Sequence, residues 1–344
     1  MGLLKRVLAR HSSDLWELES RVMHRMGLAR PPIAVQWLTT MACDLKCPHC
    51  YVSAGKKCHQ ELTTQEVKQL VIDPMVRLGC QELVIAGGEP LLRKDLSEVL
   101  RYAADQGIGW SMHTHGGFVR RHLSWMQDTL PTMVAVSLDG PPAYHDNFRG
   151  KEHCFDKALD AMRALKEIGV EEVVAGTTVT RQNADLLVDM MPIVAASSAD
   201  SWGLHLVAPE GRAGGDLLPT PDQLQRIAQI ARRARSFLRV ELDNEWGGAE
   251  GSDLLYRDSI FSCGAGRFSC VVHSTGEVSA CTTADPEESE GNVRETSLQD
   301  IWVHGFNRFR CSGGICGDSS DCWLQTRNGR SPKASSFPSL QVMS

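Results

Sequence analysis

From Ile33 onward the chain alternates between two hydrophobic periods. Short runs of branched and aromatic residues with the two-residue period of a strand give way to segments whose apolar residues recur every three or four positions. The strand-like runs are 33–39, 83–86, 110–114, 133–138, 173–179 and 202–207. Helical spacing marks Leu96, Val99, Leu100 and Ala103, then Phe155, Ala158, Leu159 and Met162. It returns at Leu186, Leu187 and Met190, and again at Leu224, Ile227 and Ile230. Thr63 and Glu66 have capping-box spacing, which predicts a helix running to about Leu78 with a kink at Pro74. The sum is six βα units, an order that predicts a parallel sheet with right-handed crossovers. Six units are too few to close an eight-stranded barrel, so a partial (β/α)6, TIM-like barrel of the α/β class fits.

Flanking segments read differently. Leu15, Leu18, Val22 and Met26 recur at helical spacing behind Ser12 and Ser13, and Gly27 and Pro31-Pro32 end the pattern. This predicts an N-terminal helical segment over 1–30 and the barrel over 31–245. Past residue 245 glycines and cysteines rise and the helical period fades, which predicts a small second module over 255–325. Val271, Val272 and Val278 suggest a hairpin around Thr275-Gly276. The Ser/Pro-rich tail, 328–344, has little to bury and reads as flexible.

Composition adds exclusions. The net charge is −6 and the basic residues are scattered, so no nucleic-acid footprint is expected. Arg232, Arg233 and Arg235 read as the solvated face of a helix. No apolar run nears the roughly 20 residues that cross a bilayer. Met1–Arg10 lacks the apolar region of a secretory signal, and a cytoplasmic protein without membrane contact is expected. Twelve cysteines in a reducing compartment argue for metal or cluster ligation over disulfides. Three lie at 43–50 and six at 263–322, while Cys58, Cys80 and Cys154 stand apart and read as small core residues.

The run Cys43-Asp-Leu-Lys-Cys47-Pro-His-Cys50 follows the first strand, where α/β sheets bind ligands. Three thiolates hold three corners of a cubane and leave one iron open, whereas a closed structural site wants four ligands. A zinc knuckle with a distant fourth ligand, His49 being the nearby temptation, is the competing reading. Gly87-Gly88-Glu89-Pro90 follows the second strand, and its two glycines allow a ligand close to the backbone. Ser137 and Asp139, in Ser137-Leu138-Asp139-Gly140, share a face at the end of the fourth strand. They suit contacts to a ribose or an ammonium. Arg149 follows, a guanidinium able to grip a carboxylate bidentately.

The C-x3-C-x2-C loop, with Gly87-Gly88-Glu89-Pro90 one βα unit later, resembles the radical S-adenosylmethionine (radical SAM) family. Thr114-His115-Gly116 is similar to that family's Thr-Asn-Gly turn, with His in place of Asn. His113, on the strand itself, reads as a buried core histidine. Thr178, Thr180 and Asn183, and the stretch 209–213, are looser matches. Cys263, Cys270, Cys281, Cys311, Cys316 and Cys322 resemble the SPASM and twitch modules that hold auxiliary [4Fe-4S] clusters. The match departs at residue 326, a Thr where the SPASM pattern has its last Cys. The resemblance therefore implies at least one auxiliary cluster, on Cys263, Cys281, Cys316 and Cys322 with Cys270 and Cys311 as contenders; a second would need an open iron or a non-cysteine ligand. A structural zinc site there competes.

The resemblance implies an oxidoreductase or peptide maturase that cleaves SAM reductively to a 5′-deoxyadenosyl radical, which abstracts a substrate hydrogen. Gly87, Gly88, Glu89, Pro90, Ser137, Asp139 and Arg149 would hold SAM. The electron donor would be external, such as flavodoxin or ferredoxin. The favoured substrate is a ribosomally synthesised peptide, to be crosslinked, epimerised or oxidised. The N-terminal segment is too short for a fused leader-binding domain, so recognition would need a separate leader-peptide-binding protein or the barrel edge. The alternative is a small molecule such as an amino sugar or cyclitol. A non-catalytic iron–sulfur or zinc protein is the third reading, and it leaves the G-G-E-P turn and the six βα units unexplained.

Overall fold

In the computed structural model residues 30–242, 264–282 and 289–311 are described, without the side chain of Cys311. The expected N-terminal helix and C-terminal tail, and Cys263, Cys316 and Cys322, lie outside the described residues.

Ten strands form one sheet: β1 (Ala34–Leu38), β2 (Glu82–Ala86), β3 (Gly109–Thr114), β4 (Met133–Ser137), β5 (Glu172–Val179), β6 (Ser201–Leu206), β7 (Arg239–Leu242), β8 (Ser269–Val272), β9 (Glu277–Ser279) and β10 (Gly291–Asn292). The order is β10-β9-β8-β1-β2-β3-β4-β5-β6-β7. β1 to β7 run parallel, each paired with the next. The six predicted strands are all present. β7 is an addition: its four residues are mostly accessible, so the sheet edge carries no strong apolar period. β8 and β9 form the expected hairpin. Unforeseen is its place, because β8 pairs in parallel with β1 and makes the second module's sheet continuous with the barrel's.

Helices cover the outer face of the sheet. Trp37, Ile85, Met112, Val134, Ala175 and Trp202 point outward and are fully buried there. Burying each large apolar side chain contributes roughly 1.5–3 kcal/mol. The alternate residues Gln36, Val84, His113, Ala135, Gly176 and His205 line an inner cavity. The outer face is thus packed under helices, while the inner face opens on this cavity.

The first helix shows its sequence logic. Thr63 Oγ1 accepts from the Glu66 N–H at 3.3 Å, and the Glu66 carboxylate accepts from the Thr63 N–H at 2.8 Å. The helix widens to a π-helical stretch, Val67–Ile72, before continuing as Asp73–Leu78. The N–H of Asp73 reaches back five residues to the Lys68 carbonyl. Pro74, with no N–H to offer, is absorbed by this widening.

Candidate active site

The loop after β1 carries Cys43, Cys47 and Cys50 and is held from several sides. Glu61, buried, accepts from Thr40 Oγ1 (2.8 Å) and from the N–H groups of Met41 (2.9 Å) and Cys58 (3.1 Å). Gly88 and Glu89 donate their N–H groups to the carbonyls of Thr40 and Ala42. A Cβ on Gly88 would lie 2.2 Å from the Ala42 oxygen, and one on Gly87 (φ +124°) 2.7 Å from the Thr40 oxygen. These glycines let two backbones of the protein meet, and both also line the cavity. Pro90 opens a short 3-10 turn, Pro90–Leu92, and is buried away from the cavity lining.

A second clasp comes from the loop after β6, one of the weaker sequence matches. The Arg212 N–H donates to the Cys50 carbonyl at 3.0 Å. Its guanidinium donates to the carbonyls of Cys47 (3.0 Å) and Ala54 (2.6 Å). Gly211 (φ +61°) stands where a Cβ would lie 2.1 Å from the Tyr51 oxygen.

The three cysteines are free thiols around one cavity of about 640 Å³. Burial pushes Cys43 up to about 11 and raises Cys47. Hydrogen-bond donors already face two of the sulfurs: the Ala54 N–H lies 3.4 Å from Cys50 Sγ, and Arg149 Nη1 lies 3.6 Å from Cys47 Sγ. Donors aimed at sulfur are what thiolate ligands require. Cys154 is buried as expected, but it packs with Leu45 and Cys47 against this same loop.

Glu89 is completely buried and makes a hub. It accepts from Thr114 Oγ1 (2.8 and 2.9 Å), the His115 N–H (3.0 Å) and the Leu91 N–H (3.2 Å). His115 Nδ1 accepts from the Gly117 N–H, while Nε2 stands 3.0 Å from Asp44 and 3.2 Å from Glu89. Burial would lower the pKa of His115, but Glu89 and Asp44 outweigh it and the value is raised. The hydrogen bond from His115 and the neighbouring Lys151 hold Asp44 well below the usual carboxylate range. His115 therefore ties the cysteine loop to the G-G-E-P turn.

Asp139 does not reach the cavity. It is fully buried and accepts from Arg149 Nε (2.6 Å) and the Thr178 N–H (3.0 Å). Asn183 donates to its carbonyl at 2.8 Å, so the loosely matched Thr178 and Asn183 support Asp139. Burial opposes both charges of the Asp139–Arg149 pair. Their attraction wins, lowering the Asp139 pKa and raising that of Arg149. Arg149 lines the cavity, but all three of its nitrogens already meet Asp139 or Cys47. Helix Pro142–Arg149 explains this: His145, Phe148 and Arg149 fall on its buried face, and Gly150 (φ +70°) ends it. Ser137 faces the cavity.

His113 is not a packed core residue. It faces the cavity and is exposed to it, as His205 on β6 also faces it, and the surrounding barrel together with His205 lowers its pKa. His49 stacks on Phe148 at 4.7 Å, and its Nδ1 is buried without a partner. Cys281 lines the same cavity as the three loop cysteines. Cys270 is paired in register with Val35, and its side chain lies in the apolar core near Cys80, where burial pushes the thiol far up.

The radical SAM superfamily pattern matches residues 37–191, and an iron–sulfur cluster-binding (SPASM) domain matches 263–323. Mycofactocin maturase MftC of Mycolicibacterium smegmatis is 31% identical over 311 residues, covering 83% of this chain and 74% of that protein. This chain belongs to the radical SAM superfamily. An AdoMet-dependent heme synthase of Oleidesulfovibrio alaskensis is 29% identical, covering 84% of this chain and 79% of the relative. Streptococcus suis SuiB bound to S-adenosylmethionine superposes with a TM-score of 0.67 at 15% identity, covering 81% and 68% of the two chains, a likeness of fold. No helix among the described residues of this radical SAM protein is long and apolar enough to cross a membrane.

Proposed function

We propose that the chain cleaves SAM reductively and uses the resulting radical to abstract a hydrogen from a peptide during the maturation of a ribosomal product. One observation carries this reading: the cysteine loop and Cys281 line one cavity, so a substrate placed there meets both ends of the metal chemistry. The similarity to a maturase supports the substrate class. Three soft thiol donors, two of them with hydrogen-bond donors aimed at the sulfur, fit a [4Fe-4S] cluster, and His49 Nδ1 is a buried polar atom that a bound SAM can satisfy. Bound there, the cluster and SAM supply a 5′-deoxyadenosyl radical.

The chain's residues do the rest. Cys43, Cys47 and Cys50 ligate. Glu61, Arg212 and the Gly87-Gly88 turn fix the loop that carries them. Ser137 and Thr178 offer hydroxyls to a ligand in the cavity. Cys281 joins Cys263, Cys316 and Cys322 on an auxiliary cluster, while Cys270, turned into the core, is no ligand. An external donor such as flavodoxin supplies the electron.

Anaerobic incubation with SAM and dithionite tests the chemistry, which fails if neither 5′-deoxyadenosine nor methionine appears. A mass change in a candidate precursor peptide tests the substrate. A second reading takes its support from the heme synthase relative and from the cavity-facing His113 and His205. A neutral imidazole is a good axial ligand for iron, so the small-molecule alternative becomes an iron tetrapyrrole. A Soret shift on adding Fe-coproporphyrin, lost in His113→Ala, would favour it over the peptide.

A further inference from the structure

Arg149 is a buried cation in contact with a cysteine of the cluster loop. Nη1 lies 3.6 Å from Cys47 Sγ, while Nε and Nη2 lie 2.6 and 2.5 Å from Asp139 Oδ2. Asp139 is itself immobilised, by the Thr178 N–H on its other oxygen and by Asn183 on its carbonyl. Arg212, Asp44 and Lys151 also stand around the loop, but Arg149 is the one of these charged groups that meets the Cys47 sulfur itself.

Reduction adds one negative charge to a cluster. A fixed cation against one of its thiolates stabilises that added charge, and a fixed anion behind the cation weakens the effect. In a dry interior such charges act with little screening. Neither residue need touch SAM or substrate for this.

We propose that Arg149 raises the reduction potential of the cluster held by Cys43, Cys47 and Cys50, and that Asp139 limits the rise. The inference rests on the reading that these three cysteines hold the cluster. It makes Arg149 and Asp139 positioning residues of opposite sign, a pattern that a purely structural role would not produce.

The test is a potentiometric titration of the anaerobically reconstituted full chain, followed by electron paramagnetic resonance. The signal that changes on adding SAM identifies the cluster in question. At a fixed potential, Asp139→Asn is expected to raise the reduced-to-oxidised ratio about tenfold, equal to about 59 mV for a one-electron couple. Arg149→Met is expected to lower it by a similar factor. Shifts of the same sign, or neither variant moving the ratio threefold, overturn the proposal. If Arg149→Met takes up no iron, Asp139→Asn decides alone, and an unchanged or lowered ratio refutes the idea. A wild-type chain showing no SAM-responsive signal would instead defeat the reading of the three cysteines.

Discussion

Gly211→Ala should damage the site more than any stability scale for glycine suggests. At φ +61° an alanine costs about 1–2 kcal/mol for the left-handed conformation alone. Its Cβ would also stand 2.1 Å from the Tyr51 oxygen and 2.6 Å from the Cys50 oxygen, and both are backbone atoms that must retreat to about 3 Å. That retreat breaks the Arg212 N–H bond to Cys50 and strains the guanidinium bonds to Cys47 and Ala54. At about 1 kcal/mol per hydrogen bond the whole cost is roughly 3–4 kcal/mol. Gly79→Ala is the control. Its φ is +73°, but nothing lies within 4 Å of the added Cβ, so only the conformational cost applies. Equilibrium urea unfolding gives both costs, and iron per chain after anaerobic purification reports the loop. Gly211→Ala should cost about 2 kcal/mol more than Gly79→Ala and lose iron, while Gly79→Ala keeps it. Equal costs with full iron in both would refute the clasp between the two loops.

Other outcomes follow from the same geometry. Cys43→Ala should abolish 5′-deoxyadenosine formation, since two thiolates do not hold a cubane with one open iron; retained turnover on chromatography would contradict it. Cys270→Ala should leave iron per chain unchanged and cost about 1 kcal/mol as a core truncation; a loss of iron would make it a ligand. His145 is buried and its Nδ1 accepts from the Asp139 N–H, and burial pushes its pKa down to about 4 despite the pull of Asp139. The stability this neutral ring contributes is complete above the unfolded value of about 6.5 and is lost as pH falls from there to about 4. The loss should reach about 2 kcal/mol by pH 5. Urea unfolding at pH 7 and 5 should show a smaller drop in His145→Gln than in the wild type; equal drops would sink the assignment.

Local features were readable along the chain. The period of two located six strands, because each buries a continuous outer face, and the capping box at Thr63 and Glu66 formed as its spacing required. The spacing of Cys43, Cys47 and Cys50 placed three donors in one loop, since a short loop cannot scatter them. Facing was not readable. The inner face mixes apolar Val84 and Ala135 with Gln36 and histidines, so hydrophobicity does not say which residues look into the barrel, and His113 and His205 turned inward and Cys270 outward without warning. Partners distant in sequence were equally hidden. Arg149 meets Cys47 across 102 positions, Arg212 meets it across 165, and β8 joins β1 from the far end of the chain. Such contacts are set by sheet register and helix placement, which exist only once the whole sheet has assembled. The amino-acid order settled which chemistry the chain carries; the closed packing of distant segments settled which charges and rings surround it.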